Sequence, residues 1–322
     1  MVGCVIVYNG KIIGEGYHQE YGGPHAEVNA INSVADKNLL PESTLFVNLE
    51  PCSHHGKTPP CCDLIIANKI KRVVIGCLDT NPLVAGKGIE KLKQAGIEVV
   101  TDILKDECRE LNKRFFIFHE KKRPYIILKW AQTKDGFISR NPPFNKNENW
   151  ITSEESKKLV HLWRGQEQAI LVATNTVLND NPNLTVRLVE GKNPLRLIID
   201  KDCKIKGDYH VFSGEAETVF FTAKPSFTQD NAQYIHLDFS NNILAQILNF
   251  LYEKKIISLI VEGGAKLLQS FIHENLWDEA RIFTGDKTFV SGIKSPVIPG
   301  KEISNLSIGT DALSILKNQA GA

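Results

Sequence analysis

The stretch from Tyr21 to Cys62 constrains this chain more than any other. It sets a His-x-Glu pair, His25 and Glu27, ahead of a six-residue run of strand formers, Thr44–Leu49, and places Pro51-Cys52 and Cys61-Cys62 behind it. One imidazole and two thiolates can share a metal ion only if the segment folds back on itself, so that both sides of the strand reach one point. Proline marks where this happens. Pro24 suits the first position of a helix through residues 25–35, with Gly22-Gly23 as the break before it, and Pro60 opens a second helix over Pro60–Asn68. Side chains in a first helical turn can reach past the helix end, and the positive end of a helix favours thiolate over thiol.

Three N/S ligands leave a fourth position open, and Glu27 is a carboxylate beside the set that need not bind metal. These are the parts of a hydrolytic deaminase. Each part alone is weak: His-x-Glu is commonly a solvated helix start, and free cysteine is often a small buried hydrophobe. The ordered set is much more specific. The spacing departs from the general deaminase signature, which has two residues between its cysteines. Here eight residues separate Cys52 from Cys61, and nine separate it from Cys62. Spacing leaves Cys61 and Cys62 both open as the third ligand, and the insert at 53–60 has to bulge out and return.

The sequence HAE followed by LEPCSHHGKTPPC resembles the deaminase half of the bifunctional riboflavin-biosynthesis deaminase/reductase family. VGCVIV at Val2–Val7 and the run Ile70–Val99 agree. So do RPYIILKWAQTKDGFI, WITSEES, VATNTVLNDNPNLTVR, PLRLIID and LIVEGGAKLLQSFI in the second half. The resemblance covers essentially the whole chain. It implies an α/β protein, with a cytidine-deaminase-like three-layer domain over 1–121 followed by a dihydrofolate-reductase-like domain over 122–322. It implies zinc on His25, Cys52 and Cys61, with Glu27 moving protons. The implied reactions are hydrolytic deamination of 2,5-diamino-6-(5-phosphoribosylamino)pyrimidin-4(3H)-one, then NADPH-dependent reduction of the ribosyl group of the product to ribityl. The family also has an N-terminal helix and a Pro-Asn-Pro type loop ahead of the VGCVIV stretch, which this sequence does not include. A reductase-only protein with a structural zinc domain is therefore the alternative expectation. A nucleic-acid-editing deaminase would share the zinc parts, but it calls for a basic channel.

Composition bears on that last point. The formal net charge is +1, with 38 basic and 37 acidic residues well mixed along the chain. No basic block or stripe argues for nucleic acid. No apolar run is long enough for a membrane span, and no signal peptide precedes the first strand. Five of the seven cysteines (Cys4, Cys52, Cys61, Cys62, Cys77) fall in the first quarter, which suits metal and buried thiols better than a disulfide scaffold. The expectation is a soluble, cytoplasmic enzyme of a small phosphoribosyl pyrimidine, without nucleic-acid or membrane partners. The family adds a homo-oligomer.

Along the first half, Asn9-Gly10 predicts a tight hairpin between two strands. Strands at Thr44–Leu49, Arg72–Cys77 and Ile97–Val100 alternate with helices, the third of them over Ile89–Gln94 and stopped by Gly96. This alternation predicts an α/β layer fold with its site at strand carboxyl ends. Asp79 and Asn81 lie in a turn by composition; the resemblance implies that their loop borders the substrate. His54 and His55 read as loop residues, and Lys57 and Thr58 as weaker phosphate candidates. Apolar spacing predicts a single helix over Asp102–Phe118. The charged run Glu120–Pro124 marks a domain boundary.

In the second half, Glu262-Gly263-Gly264 separates an apolar strand, Ser258–Val261, from a helix, Ala265–His273. Glycine there lets backbone N–H groups approach a phosphate. No G-x-G-x-x-G occurs, so the nicotinamide cofactor needs another binding mode. The resemblance implies cofactor contacts at Ala131, Trp150, Thr176, Asp180, Gly263 and Gly264. It implies substrate contacts at Glu148, Arg164, Leu184, Arg187 and Glu262. Two arginines suit a phosphorylated sugar, because the guanidinium fork matches phosphate oxygens. Lys129 and Asp135 flank the end of a strand on the same edge. The Asn- and Pro-rich segment 141–149 reads as a mobile loop over the site. The tail beyond Gly300 carries no recognisable chemistry.

Overall fold

The computed structural model describes residues 1–20, 22–54, 59–81, 85–140, 149–229 and 231–319. The chain forms two compact units, 1–121 and 122–322.

The first unit begins with a hairpin, β1 (Gly3–Tyr8) and β2 (Lys11–Tyr17). Its turn has positive φ at both Asn9 and Gly10, the combination whose twist matches paired antiparallel strands. There follow α1 (Ala26–Ser33), β3 (Thr44–Leu49), α2 (Cys61–Ala67), β4 (Arg72–Cys77), α3 (Lys87–Gln94), β5 (Glu98–Val100), α4 (Lys105–Leu111) and α5 (Lys113–Lys121). The sheet order is β2-β1-β3-β4-β5, antiparallel at β1 and parallel from β3 to β5. Val73 and Ile75 of β4 join a core with residues of α1, α2 and α3. Gly76 points the other way, where a Cβ would lie 2.3 Å from the Cys108 sulfur of α4. Helices therefore cover both faces, giving three layers.

Two local expectations change. The predicted helix over 102–118 is two helices. Asp102 and Leu104 sit at positive φ, so α4 starts only at Lys105. Asn112 then breaks the run: its side-chain amide donates to the Cys108 carbonyl, 3.4 Å away, competing with the helical pattern. Pro24 is also not the first helical residue. His25 is the extended N-cap of α1, with φ −70° and ψ 164°, and Pro60 caps α2, so Cys61 is its first residue.

The second unit runs β6 (Tyr125–Gln132), β7 (Phe137–Ser139), α6 (Glu154–Gln166), β8 (Ala169–Ala173), α7 (Thr174–Asp180), β9 (Leu195–Ile199) and β10 (Thr218–Thr222). It continues with β11 (Phe227–Gln229), β12 (Ala232–His236), α8 (Ile243–Glu253), β13 (Ser258–Val261), α9 (Ala265–His273), β14 (Glu279–Thr284), β15 (Ile293–Lys294), β16 (Lys301–Ile308) and β17 (Asp311–Lys317). Ten strands pair in the order β11-β12-β10-β9-β8-β13-β6-β14-β17-β16, parallel from β12 to β14. The central strands are apolar almost throughout, as strands covered on both faces must be. Ile126, Leu128 and Trp130 of β6 share a core with α8 and α9. The alternate residues of β6 and β14 face α6, where the Trp163 and Phe283 rings meet at 5.5 Å. The tail, in which the sequence shows no recognisable chemistry, forms an antiparallel hairpin, β16–β17, that extends the sheet from β14. No helix among the described residues is long and apolar enough to cross a membrane.

Candidate active sites

In the first unit, three ligand atoms converge from three elements. His25 Nδ1, at the cap of α1, lies 3.2 Å from Cys61 Sγ and 3.5 Å from Cys52 Sγ. Cys52 follows β3, and Cys61 opens α2 and donates its backbone N–H to Cys52 Sγ at 3.3 Å. All three ligand atoms lie within 4.8 Å of one another, the spread one small ion requires. The extended backbone at the His25 cap brings its ring to both sulfurs. Hydrogen bonds from Cys61 and His25 hold the Cys52 thiol down to about 4, while its bond to Cys52 and burial push Cys61 up. The set already stabilises one anionic sulfur.

The pair left open by spacing is separated by geometry. Successive helical residues point about 100° apart. Cys61 faces His25, whereas Cys62 Sγ turns to the Pro51 and Gly88 carbonyls, at 3.4 and 3.5 Å. Glu27, the second residue of α1, is 3 % exposed. Burial pushes its carboxyl up to about 7, so it can exchange a proton near neutrality. His54 is exposed and outside the cluster; His55, Lys57 and Thr58 lie outside the described residues. Sequence reasoning missed His18, whose ring meets that of His25 edge-on at 5.5 Å.

In the second unit, charged groups collect where β6 and β13 meet α6. Arg164 grips Glu262 with two bonds, Nε to Oε1 at 3.0 Å and a terminal nitrogen to Oε2 at 2.7 Å. Lys129 Nζ stands 3.8 Å from the same carboxylate. Burial alone would raise the Glu262 carboxyl; Arg164 and then Lys129 outweigh it and hold it at about 2. One helical turn before Arg164, His161 accepts the Arg187 backbone N–H on Nδ1 at 3.0 Å. Arg187 itself is exposed and donates to Thr185 Oγ1 at 2.8 Å. Sequence reasoning missed His161; its place three residues before Arg164, on one helix face, was the available signal.

Leu184 is buried at positive φ, in the segment that ends in Arg187. Gly263 and Gly264 follow Glu262 directly, with Gly264 exposed at the cap of α9. A Cβ on Gly263 would lie 2.7 Å from Leu267, whereas Gly264 faces open space. Thr176 is half-buried and Asp180 exposed on α7, which starts where β8 ends beside β13. Ala131 packs on Phe137, Ile151 and Phe289. Trp150, 39 % exposed, carries the Lys157 ammonium over its ring at 4.9 Å. The Asp135 carboxylate is taken up by Thr133 Oγ1 and the backbone N–H groups of Phe289 and Val290. Glu148 and the rest of 141–148 lie outside the described residues.

The start of α6 is fastened from far along the chain. Ser153 caps the helix, and Asp311 Oδ2 accepts from Ser153 N at 2.7 Å and Ser156 Oγ at 2.5 Å.

A layered α/β unit with a His/Cys/Cys cluster beside a buried glutamate, followed by a mixed-sheet unit with Arg164 and Lys129 ion-paired to Glu262 at the strand ends, defines a zinc deaminase joined to a reductase. Residues 1–77 match the cytidine and deoxycytidylate deaminase zinc-binding region, and residues 124–310 match the RibD C-terminal domain. The riboflavin biosynthesis protein RibD of Aquifex aeolicus is 44 % identical over 299 residues, covering 91 % of this chain and 82 % of that protein. The Escherichia coli RibD is 36 % identical, covering 94 % and 86 %. A solved diaminohydroxyphosphoribosylaminopyrimidine deaminase/5-amino-6-(5-phosphoribosylamino)uracil reductase from Thermotoga maritima superposes with a TM-score of 0.88 at 39 % identity, covering 98 % of this chain and 91 % of that one. The chain belongs to the RibD family of bifunctional deaminase/reductases of riboflavin biosynthesis.

Proposed function

We propose that residues 1–121 deaminate 2,5-diamino-6-(5-phosphoribosylamino)pyrimidin-4(3H)-one. We further propose that residues 122–322 reduce the ribosyl group of the resulting 5-amino-6-(5-phosphoribosylamino)uracil to ribityl. The observation that carries the first half is the meeting of His25, Cys52 and Cys61 beside the buried Glu27. Zinc held by those three residues would lower the pKa of a water toward ~7. Glu27 takes one proton from the attacking water and gives it to the ring nitrogen, then carries the second, from the hydroxyl of the adduct, to the leaving amine. Water and the amino group exchange, so ammonia leaves and a carbonyl forms.

In the second unit Arg187 offers an exposed guanidinium to the substrate phosphate, while Arg164 and Lys129 fix Glu262 for the sugar hydroxyls. Ala131, Trp150, Thr176, Asp180, Gly263 and Gly264 border the cofactor, with the glycines leaving room for its phosphates. NADPH held there would supply the hydride for C1 of the ribosyl group. The enzyme acts as a cytoplasmic homo-oligomer on free nucleotides; its near-balanced charge supports the absence of a nucleic-acid partner.

The test is Glu27→Gln in the zinc-loaded chain. It retains zinc and NADPH oxidation and loses ammonia release by about 100-fold or more. A variant with intact deamination removes Glu27 from this role. A wild-type chain that consumes NADPH but releases no ammonia makes the zinc cluster structural.

A further inference from the structure

Glu50 directly follows β3, two residues ahead of Cys52, and is only 4 % exposed. A buried carboxylate needs partners, and among the described residues no basic side chain lies within ion-pair distance of it. Four backbone N–H groups serve instead. Oε2 accepts from Asp79 at 3.3 Å and Gly86 at 3.0 Å, and Oε1 accepts from Gly88 at 3.0 Å and Ile89 at 3.4 Å. Gly86 is the cap of α3, and Gly88 and Ile89 are its second and third residues. A glycine cap has no side-chain acceptor for these N–H groups, so Glu50 supplies one from another strand and puts negative charge at the positive helix end.

The same carboxylate reaches Asp79, in the segment that leaves β4 beside the metal-bearing turn. β3 and β4 are parallel with Leu49 opposite Cys77, and the Glu50 N–H donates to the Cys77 carbonyl at 3.0 Å. Residues 50–52 and 78–81 thus emerge side by side at the strand ends. The joint is close: a Cβ on Gly88 would lie 2.1 Å from the Pro51 oxygen. The Cys62 thiol bonds both Pro51 and Gly88 carbonyls, so α2 closes over the same point.

We infer that Glu50 is a positioning residue of the deaminase: it fixes the Asp79–Asn81 segment and the start of α3 against the Pro51-Cys52 turn that carries the metal ligand. This rests on the deaminase reading above. The three ligands do not depend on Glu50 side-chain bonds, so its loss affects capture of the pyrimidine nucleotide and leaves metal retention intact.

The experiment uses the full zinc-loaded chain with Glu50→Gln, which keeps the side-chain size but turns an NH₂ toward two of the four donors. Expected are wild-type zinc content, an unchanged visible spectrum after cobalt substitution, and unchanged NADPH oxidation. KM for the diaminopyrimidine nucleotide rises about tenfold or more while kcat changes less than about threefold. Amide exchange at Asp79, Gly86, Gly88 and Ile89 accelerates about tenfold or more, while the Cys61 and Cys62 amides keep their rates. Unchanged KM and exchange overturn the inference, and so does loss of zinc or a fall in kcat at constant KM. If the wild-type chain releases no ammonia, the deaminase reading fails, and the exchange measurement alone decides whether Glu50 holds the segment.

Discussion

Replacing Gly16 by alanine tests whether the sheet sets the position of α1, and through it the metal site. A Cβ at Gly16 would lie 2.3 Å from the Ala30 nitrogen, 2.6 Å from Asn29 Cβ and 2.7 Å from the Ala26 oxygen. Every obstacle is backbone or Cβ of the helix, so no rotamer change relieves the clash. Ordinary contact starts near 3.4 Å, so the helix has to lift by about 1 Å. Overpacking of this kind costs about 1–3 kcal/mol, a drop of several degrees in the melting temperature of a unit this size. The functional cost is larger. His25 caps α1 and Glu27 is in its first turn, so the lift opens the 3.2 and 3.5 Å approaches of His25 to the sulfurs. A misplacement of about 1 Å at a reacting centre costs about 100-fold in rate. The assay follows ammonia release, zinc loss to a chelator and NADPH oxidation on one preparation. Deamination falls about 10–100-fold and zinc is lost at lower chelator concentration, while reduction stays at the wild-type rate. A soluble Gly16→Ala chain with wild-type deamination and zinc retention refutes the reasoning, as does an equal fall in both activities.

Two further outcomes concern the second unit. Burial, followed by Arg164 and Arg187, holds His161 at about 4, below its ordinary 6.5. Its folded pKa is depressed, so the fold favours the neutral ring; that stability is full above pH 6.5 and drains as pH falls toward 4, by about 3 kcal/mol in all. Urea melts of the reductase transition between pH 4.5 and 7.5 record this slope, and His161→Asn, which keeps an acceptor for the Arg187 N–H, flattens it. Arg187→Gln raises KM of the reductase substrate about 10–100-fold with little change in kcat and no change in deamination. Equal loss of kcat and kcat/KM with KM unchanged would instead place Arg187 in the chemical step.

Where apolar runs end at Pro, Gly or a charged turn, the sequence was readable almost to the residue. β3, β4, β13 and α9 lie where the pattern put them, and the His/Cys/Cys set converges as its order required. What stayed hidden depends on contacts far apart in sequence or on rotation about a helix axis. Cys61 and Cys62 are equivalent as letters and differ only in which way the first turn of α2 faces. The break at Asn112 comes from one side chain bonding one carbonyl, which apolar spacing does not register. Glu279 and Arg281 look like surface charges of a strand, yet they pair at 2.6 Å beneath α6, with Tyr125 on the same carboxylate at 2.9 Å and the guanidinium over the Trp163 ring at 4.5 Å.

The bond from Asp311 to the start of α6 has a consequence for timing on the ribosome. The helix that carries His161 and Arg164 is made about 150 residues before the carboxylate that fastens its first turn. While the chain grows, Ser153 and Ser156 have no Asp311 to bond, and β14 lacks its neighbour β17. The deaminase ligands, by contrast, are all synthesised within the first 61 residues. The two units therefore complete in sequence: the His/Cys/Cys cluster can assemble while the second unit is still being translated, and the first turn of α6 is fastened only when the last hairpin closes onto the sheet.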